Sequence, residues 1–182
     1  MDAERSDKAS GAVNQQERLE SYIAGFVDGE GCFHVAIQRN PCTRSGWQLV
    51  PEFRISQDVA RIKVLNLAQE LLGCGSLREN HRGSEDHTYV LVIRNRRDLL
   101  ERVIPFFERN PILSAKQEEF ATFRFIVRAM ERGEHLVTEG FERLAAKALR
   151  MNGGGRYRRL YRSSESRILR DHMPNIADPE SR

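Results

Sequence analysis

Tyr22-Ile-Ala-Gly-Phe-Val-Asp-Gly-Glu-Gly31 is the stretch that decides how the rest of the chain is interpreted. Apolar residues just before and within this stretch are spaced three and four positions apart, which is typical of one face of an α-helix. They are Leu19, Tyr22, Ile23, Phe26 and Val27. Gly31 follows at a point where helices commonly end. The sequence therefore predicts an amphipathic helix that begins near Leu19 and ends at Gly31.

Two carboxylates, Asp28 and Glu30, stand at the carboxyl-terminal end of this predicted helix. Negative charge there opposes the helix dipole, by about 0.3–1 kcal/mol for each group, so a compensating cation is expected. The Glu30 carboxylate and the unpaired carbonyls of the last turn are oxygen ligands of the kind that Mg²⁺ or Ca²⁺ prefers. A helix that simply has a ragged acidic end is the alternative interpretation.

Small residues leave one side of the same helix bare. Gly25 and Gly29 are four positions apart, and Ala24 and Asp28 lie beside them. Each glycine inside a helix costs about 1 kcal/mol relative to alanine, and the close approach of a second helix would justify that cost. No second glycine-faced helix follows in the sequence, so the partner helix would come from another subunit in a C2 dimer.

Period-two alternation after Gly31 predicts a β-hairpin. Its first strand covers residues 32–40, and its second begins at Trp47 after a turn at residues 40–46. Pro51 weakens the second strand or places it at an edge or a bulge. One face of this hairpin is expected to be buried, and it carries Phe33, Val35, Ile37, Trp47, Leu49, Phe53 and Ile55.

A helix over residues 58–72 and a second hairpin over residues 76–93 repeat the same order. The helix is expected to end at Gly73 or Gly75 and to carry an apolar stripe of Ala60, Val64, Leu67 and Leu71. The facing of the last strand, residues 87–93, stays open because its residues are apolar on both sides.

The remainder of the chain has helical periodicity. The predicted segments are residues 96–109, interrupted by Pro105; a helix from Ser114 to Gly133 that opens with a capping box at residues 114–117; and residues 138–151. The chain is therefore predicted to be α+β, with an αββαββα core, a four-stranded, mainly antiparallel sheet and further C-terminal helices. Residues 1–17 are expected to be a disordered lead-in, residues 18–170 a single domain and residues 171–182 a disordered tail.

Composition excludes several classes of protein. The 182 residues are 40% hydrophobic and suit one compact domain. The sequence contains no run of about 18 apolar residues, so no membrane-spanning helix is expected. The acidic first twenty residues do not resemble a secretory signal. Three cysteines without CxxC spacing argue against a disulfide framework or a structural zinc site. An intracellular, reducing location is expected, in a bacterial cytoplasm or an organelle.

Residues 23–31, preceded by Tyr22, closely resemble the LAGLIDADG motif of homing endonucleases. Ala24, Gly25, Asp28 and Gly31 are kept, and the apolar differences are conservative. The resemblance continues to about Asn80, returns around residues 113–117 and 150–162, and is closest to the single-motif, homodimeric members encoded in introns. It implies a saddle-shaped DNA-binding sheet and a dimer formed through Ala24, Gly25 and Asp28.

The resemblance also implies a metal site. Glu30 matches the last acid of the motif, which reaches a scissile phosphate, and the Gly29 carbonyl matches a further metal ligand. Mg²⁺ is the expected ion, with Mn²⁺ substituting for it and Ca²⁺ binding without cleavage. Most members have Asp where this chain has Glu30, so the metal position and the rate are open; Asp28 matches an acid with a structural role.

Three more residues match catalytic positions of the family. Gln57 matches a residue that orients the attacking water, Lys116 a lysine near the scissile phosphate, and Arg61 a basic neighbour of the water network. Taken alone, Gln57 is an ordinary polar residue at a strand end, while Lys116 and Arg61 are ordinary surface residues. Only convergence on the Glu30 site would give them catalytic roles.

The polar faces of the two hairpins carry side chains that recognise base edges, since Arg pairs with guanine and Gln or Asn with adenine. The candidates for contact with double-stranded DNA are His34, Ala36, Gln38, Gln48, Val50, Arg54, Ser76, Arg78 and Asn80. Two such sheets would read a pseudo-palindromic site of roughly two helical turns. An ordinary solvated face is the alternative, and Glu52 and Glu79 favour it because they would repel phosphates.

The segment 150–170 holds seven arginines and one acid, although the net charge of the chain is only +3. Arg156, Arg158 and Arg159 are the candidates here for sequence-independent phosphate contacts. A disordered basic tail that binds any acidic partner is the alternative. The excess of arginine over lysine, 25 to 4, fits phosphate binding or simply GC-rich coding.

These observations predict a homodimeric, site-specific endonuclease that cuts both strands of a long DNA target with a divalent metal. Short 3′ overhangs and intron mobility are expected from the resemblance. A non-catalytic nucleic-acid binder, either an RNA maturase or a repressor, is the alternative. A transcription factor with a helix-turn-helix and an intein are disfavoured, because the sequence has no such module after residue 138 and no splice-junction residues.

Overall fold

The computed structural model describes residues 2–43, 45–80 and 87–151, with side chains from Asn14 onward. Its elements follow the predicted αββαββα order and confirm the α+β class. They are α1 (Asp2–Glu30), β1 (Gly31–Arg39), β2 (Trp47–Asp58), a 3₁₀ turn (Val59–Arg61), α2 (Ile62–Leu72), β3 (Ser76–Glu79), β4 (Thr88–Ile93), α3 (Arg96–Asp98), a π-helical segment (Leu99–Val103), α4 (Ile104–Arg109), α5 (Lys116–Glu131), a second 3₁₀ turn (Glu134–Leu136) and α6 (Thr138–Arg150).

Helix α1 begins at Asp2, so residues 2–17 are helical rather than the disordered lead-in that the sequence predicted. This segment has no apolar period, which is why the pattern missed it. It is rich in Ala, Glu, Gln, Lys and Arg, which are strong helix formers. The far end of α1 is anchored in the core by Ile23 and Val27, which are fully buried, and extension of an anchored helix needs no further nucleation.

The four strands form one sheet in the order β1-β2-β4-β3, and all neighbours are antiparallel. Pairing of β2 with β4 begins at the Phe53–Ile93 pair, two residues after Pro51. Pro51 itself pairs with Val35 of β1. Pro51 therefore lies in the part of β2 that pairs, among the described strands, with β1 alone. Such an edge position was predicted, because proline cannot donate a hydrogen bond to a neighbouring strand.

The helices cover one face of the sheet, and Phe33 stands at the centre of that core. Its ring centroid lies 5.1–5.4 Å from the rings of Phe53 in β2, Phe107 in α4, and Phe120 and Phe123 in α5. This cluster fixes α4 and α5 against the sheet. The facing of β4 is also settled, because the core cluster contains Leu91 and Ile93, while Val90 and Val92 point to the other face.

Helix α2 buries a different stripe from the predicted one. Leu65, Ala68 and Leu72 are its buried residues, while the predicted Val64, Leu67 and Leu71 are half-buried and Ala60 is exposed. The predicted and buried stripes have the same spacing and lie one position apart within α2, so apolar periodicity alone does not decide which of them is centred on the core. Gly73 ends the helix in the left-handed conformation at φ 64°, as one of the two predicted stops.

The helix predicted over residues 96–109 is interrupted as expected. A π-helical segment, Leu99–Val103, precedes Pro105, which sits in the first turn of α4. Proline has no N–H and crowds the carbonyl four residues earlier, so the regular helix cannot pass through it. None of the helices in residues 2–43, 45–80 and 87–151 has the apolar length that a bilayer crossing requires.

Candidate active site and nucleic-acid interface

Glu30, the last residue of α1, is exposed beside an open concavity of about 380 Å³. The other residues that line this concavity are Cys32, Arg54, Ser56 and Asn80. Cys32 and Arg54 are cross-strand partners, and Ser56 follows on the same side of β2, away from the helices. The helix end therefore brings a carboxylate to the rim of the uncovered sheet face.

Lys116 supplies the positive charge that the acidic helix end requires. Its Nζ atom donates hydrogen bonds to the carbonyl oxygens of Val27, at 2.9 Å, and Gly29, at 3.3 Å. The last turn of α1 has no basic residue of its own, so α5 provides the cation in its place. Lys116 is thus held at the helix end that carries Glu30, where the sequence had suggested a metal ion for this compensation. Its catalytic role stays a prediction.

Asp28 joins the end of α1 to the start of α5. Its carboxylate accepts hydrogen bonds from the Ser114 hydroxyl and from the backbone N–H groups of Ser114, at 3.1 Å, and Leu113, at 3.4 Å. The Ser114 hydroxyl bond, followed by these backbone bonds and the nearby Lys116 charge, holds the pKa of Asp28 below its ordinary value. This arrangement supports the structural role expected for Asp28.

The same link overturns the predicted capping box at residues 114–117. The Ser114 hydroxyl accepts from the N–H of Lys116, at 3.1 Å, while the Gln117 N–H goes to the Ser114 carbonyl. The Ser114 N–H, which the Gln117 side chain was expected to bind, donates to Asp28 instead. A residue 86 positions away in the chain therefore replaces a local cap.

Neither Gln57 nor Arg61 is part of the concavity wall. By register, Gln57 is two residues beyond the Gly31–Ile55 pair, level with the last turn of α1. Its Oε1 atom accepts from the N–H of Asp58, at 2.9 Å. Arg61 is exposed at the end of the 3₁₀ turn. Their catalytic roles stay predictions.

Helix α1 also carries an uncovered strip, which consists of Tyr22, Gly25 and Gly29. A Cβ atom added at Gly25 or Gly29 would meet nothing within 4 Å, and Tyr22 is 56% exposed. Ala24 does not belong to the strip, because it is 5% exposed and packed within its own chain. Adjacent positions on a helix point about 100° apart, so Ala24 faces its own core more than the strip does, and its assignment to a dimer interface stays a prediction.

Hard oxygen ligands for a metal are available at the end of α1. They are the exposed Glu30 carboxylate and the Gly29 carbonyl, which also accepts the longer of the two Lys116 hydrogen bonds, at 3.3 Å. Across the described part of the chain, no group of three or more His, Cys, Asp or Glu side chains could enclose a metal ion. Such a sparse oxygen set suits Mg²⁺, which commonly keeps several waters and takes the remaining ligands from substrate phosphates.

Cross-strand register brings the predicted base-reading residues onto one face, opposite the helices. The residues on this uncovered face include His34, Ala36, Gln38, Gln48, Val50, Arg54, Ser76 and Arg78. Asn80 continues from β3, and its backbone N–H donates to the carbonyl of Thr88 at 2.9 Å. Gln48 links Gln38, at 3.4 Å, to Asn40, at 2.8 Å. The arrangement of a shared polar face is thus confirmed, and contact with DNA stays a prediction.

Glu52 lies on the same face, and its carboxylate is paired with arginines rather than free to repel phosphates as the sequence predicted. It is 6% exposed and pairs with Arg94, which the sequence did not single out, and with Arg54 at 3.8 Å. Only the strand register could have revealed the pair. The other basic candidates, Arg156, Arg158 and Arg159, lie outside the described residues.

Residues 23–127 match the family model described as LAGLIDADG endonuclease. The chain belongs to the LAGLIDADG endonuclease family. Over 140 residues it is 31% identical to DNA endonuclease I-CeuI of Chlamydomonas moewusii, covering 75% of this chain and 61% of that protein. The matches therefore span less than two thirds of that relative.

Solved structures of LAGLIDADG endonucleases share the fold. The homing endonuclease I-TnaI superposes with a TM-score of 0.73 at 43% identity, covering 81% of this chain and 96% of that one. The group I intron-encoded homing endonuclease I-CeuI, solved in complex with DNA, superposes with a TM-score of 0.68 at 27% identity, covering 75% of this chain and 67% of that one.

Proposed function

We propose that this LAGLIDADG protein is a homodimeric, site-specific homing endonuclease. It hydrolyses both strands of a long pseudo-palindromic DNA target with a divalent metal, leaves short 3′ overhangs and promotes intron mobility. One observation carries the proposal. Glu30 stands exposed where the uncovered strip of α1 meets the uncovered polar face of the sheet. Family membership and the DNA complex of I-CeuI support it.

Dimerisation is inferred from the uncovered strip. The fold of one chain does not need glycine at Gly25 or Gly29, because a larger side chain would have open space there. Each glycine nevertheless costs about 1 kcal/mol in a helix. Close packing of α1 against α1 of a second copy explains why the backbone is left bare. A C2 axis at this contact places two Glu30 carboxylates near each other, one for each DNA strand.

The residues at the end of α1 suit phosphodiester hydrolysis. Glu30 and the Gly29 carbonyl would hold Mg²⁺, with Mn²⁺ able to substitute and Ca²⁺ supporting binding without cleavage. The metal, when bound, would supply charge neutralisation at the phosphate and a more acidic water. Lys116 adds a cation that its hydrogen bonds fix beside this position. Gln57 would orient the attacking water, and Arg61 would add positive charge to its surroundings.

Recognition would use the uncovered face of the sheet in the major groove, where base edges differ most. Two symmetric sheets would read half-sites about 10 base pairs apart or a multiple of that distance. Arg156, Arg158 and Arg159, from the basic segment, would add phosphate contacts. Such contacts make affinity fall steeply as salt concentration rises.

The test is cleavage of a randomised duplex library by the full chain in Mg²⁺, followed by sequencing of the product ends. We expect recurrent paired ends with short 3′ overhangs that flank a two-fold-related sequence. A parallel incubation in Ca²⁺ should enrich the same sequence without cutting it. Enrichment of a sequence that is never cut in Mg²⁺ or Mn²⁺ would contradict the nuclease and favour a repressor. The absence of any DNA enrichment would contradict both.

A further inference from the structure

Among the residues that the structure describes, Glu52 is the charged residue that is buried. It lies on the uncovered face of the sheet. Its side chain is 8% exposed. Its cross-strand partner in β1 is His34, one of the predicted base readers. A buried carboxylate destabilises the fold unless its oxygens are paired, so the partners of Glu52 indicate its role.

Two arginines converge on this carboxylate. The Nε atom of Arg94 donates a hydrogen bond to one oxygen, and a terminal nitrogen of Arg54 lies 3.8 Å from the other. Arg94 directly follows β4 and, by register, sits opposite Glu52. Its contact is a hydrogen bond, whereas the Arg54 contact is a looser ion pair. Arg94 is therefore the more firmly held of the two.

The Glu52 contact leaves the two terminal guanidinium nitrogens of Arg94 available. Arginine presents one Nε and two terminal nitrogens in a plane, and Glu52 takes the Nε. Among the described residues, Glu52 is the partner of the Arg94 guanidinium, and the arginine side chain is 54% exposed. Arg94 also lines a depression of about 330 Å³ beside Arg78 and Val92, both on the uncovered face.

We propose that Arg94 determines specificity by reading a guanine in each half-site, with Glu52 as its positioning residue. The two terminal nitrogens match O6 and N7 of guanine, which is the commonest bidentate base contact of arginine. Fixing the guanidinium in advance lowers the entropy lost on binding. The inference rests on the proposed DNA recognition but not on cleavage, so binding alone can test it.

The test selects bound sequences from a randomised duplex library in Ca²⁺ with the full chain, Arg94→Lys, Glu52→Gln and the control Arg124→Lys. Arg124 pairs with Glu108 in the helical layer, away from the uncovered face. We expect Arg94→Lys to lose its preference for guanine at one position of each half-site by about 5- to 150-fold, since lysine lacks the fork. Glu52→Gln should weaken the same position, and Arg124→Lys should change none.

Unchanged base preferences in Arg94→Lys, with affinity lowered equally for all sequences, would show a phosphate contact and overturn the proposal. Failure of the proposed DNA recognition looks different, because the unsubstituted chain would then select no sequence at all. Arg94→Lys keeps the positive charge next to Glu52, so it remains informative if Glu52→Gln fails to fold. Circular dichroism melting of each variant checks folding.

Discussion

The aromatic centre of the core and the end of α1 are built in opposite ways. Phe33 is fully buried and lies against four other aromatic rings that come from β2, α4 and α5. The end of α1 is held by a few polar links, from Asp28 to Ser114 and from Lys116 to two carbonyls, and it leaves Glu30 exposed. Stability should therefore depend on the first region, and assembly and catalysis on the second.

The largest effect on stability is expected at the aromatic centre. Phe33→Ala removes a ring from a packed core, which typically costs about 3–5 kcal/mol. Gln38→Ala, in the same strand but exposed on the other face, should cost less than about 0.5 kcal/mol. Urea denaturation followed by circular dichroism measures both. Similar losses from the two changes would refute the division between the two faces of β1.

At the uncovered strip of α1, we expect a substitution to affect dimer formation rather than to lower the stability of the chain. Gly25→Leu should leave the chain folded and raise helix stability by up to about 1 kcal/mol, because Gly25 has free space around it. The same side chain should separate the paired helices and convert the dimer to a monomer in analytical ultracentrifugation. Asn66→Leu, on the exposed side of α2, is the control and should stay dimeric. An unchanged Gly25→Leu dimer would refute the pairing of α1 helices.

A smaller effect on stability is expected from the lysine that caps the end of α1. Lys116→Met removes a positive charge from two carbonyls of the last helical turn. The helix dipole predicts a loss of about 0.3–1 kcal/mol, smaller in high salt. Lys63→Met, in the first turn of α2 where a positive charge opposes the helix dipole, should not lower stability. Melting temperatures at two salt concentrations measure the difference.

The smallest effect should come from Asp28, and it should depend on pH. The pKa of Asp28 is lowered in the folded chain, chiefly by the Ser114 hydroxyl, so the carboxylate stabilises the fold above its unfolded pKa. That contribution disappears as the pH falls through the lower folded pKa. Asp28→Asn should therefore be less stable than the unsubstituted chain at neutral pH, and the two should converge below pH 3.8, the ordinary value for Asp. A difference independent of pH would contradict this assignment.

Local patterns predicted most of the fold. Alternation along β1 and β2 identified the buried face correctly, and the glycine and proline signals placed the end of α2 and the break before Pro105. The extension of α1 to Asp2 was missed because this polar part of the sequence has no apolar period. The stripe of α2 was misplaced by one position because two neighbouring stripes of the same helix are both apolar, and only packing against the sheet decides which is buried.

The candidate site was predicted less completely, because its links join distant parts of the chain. Asp28 and Ser114 are 86 positions apart, and Glu52 and Arg94 are 42 apart. No local pattern reports such pairs. The motif placed Glu30 correctly at an exposed helix end, and Lys116 was brought beside it only through the resemblance. The burial of Ala24 was not predicted, because the small-residue pattern does not show which small residue the core covers.

The central claim is that Glu30 acts in catalysis rather than in folding or DNA recognition. Its most direct test compares Glu30→Gln with Glu17→Gln, an exposed acid earlier in α1, on the selected target in Mg²⁺. We predict that Glu30→Gln cleaves at least about 100-fold more slowly, while its affinity in Ca²⁺ changes by less than about tenfold. Glu17→Gln should cleave normally. Cleavage by Glu30→Gln at the unsubstituted rate would contradict the account.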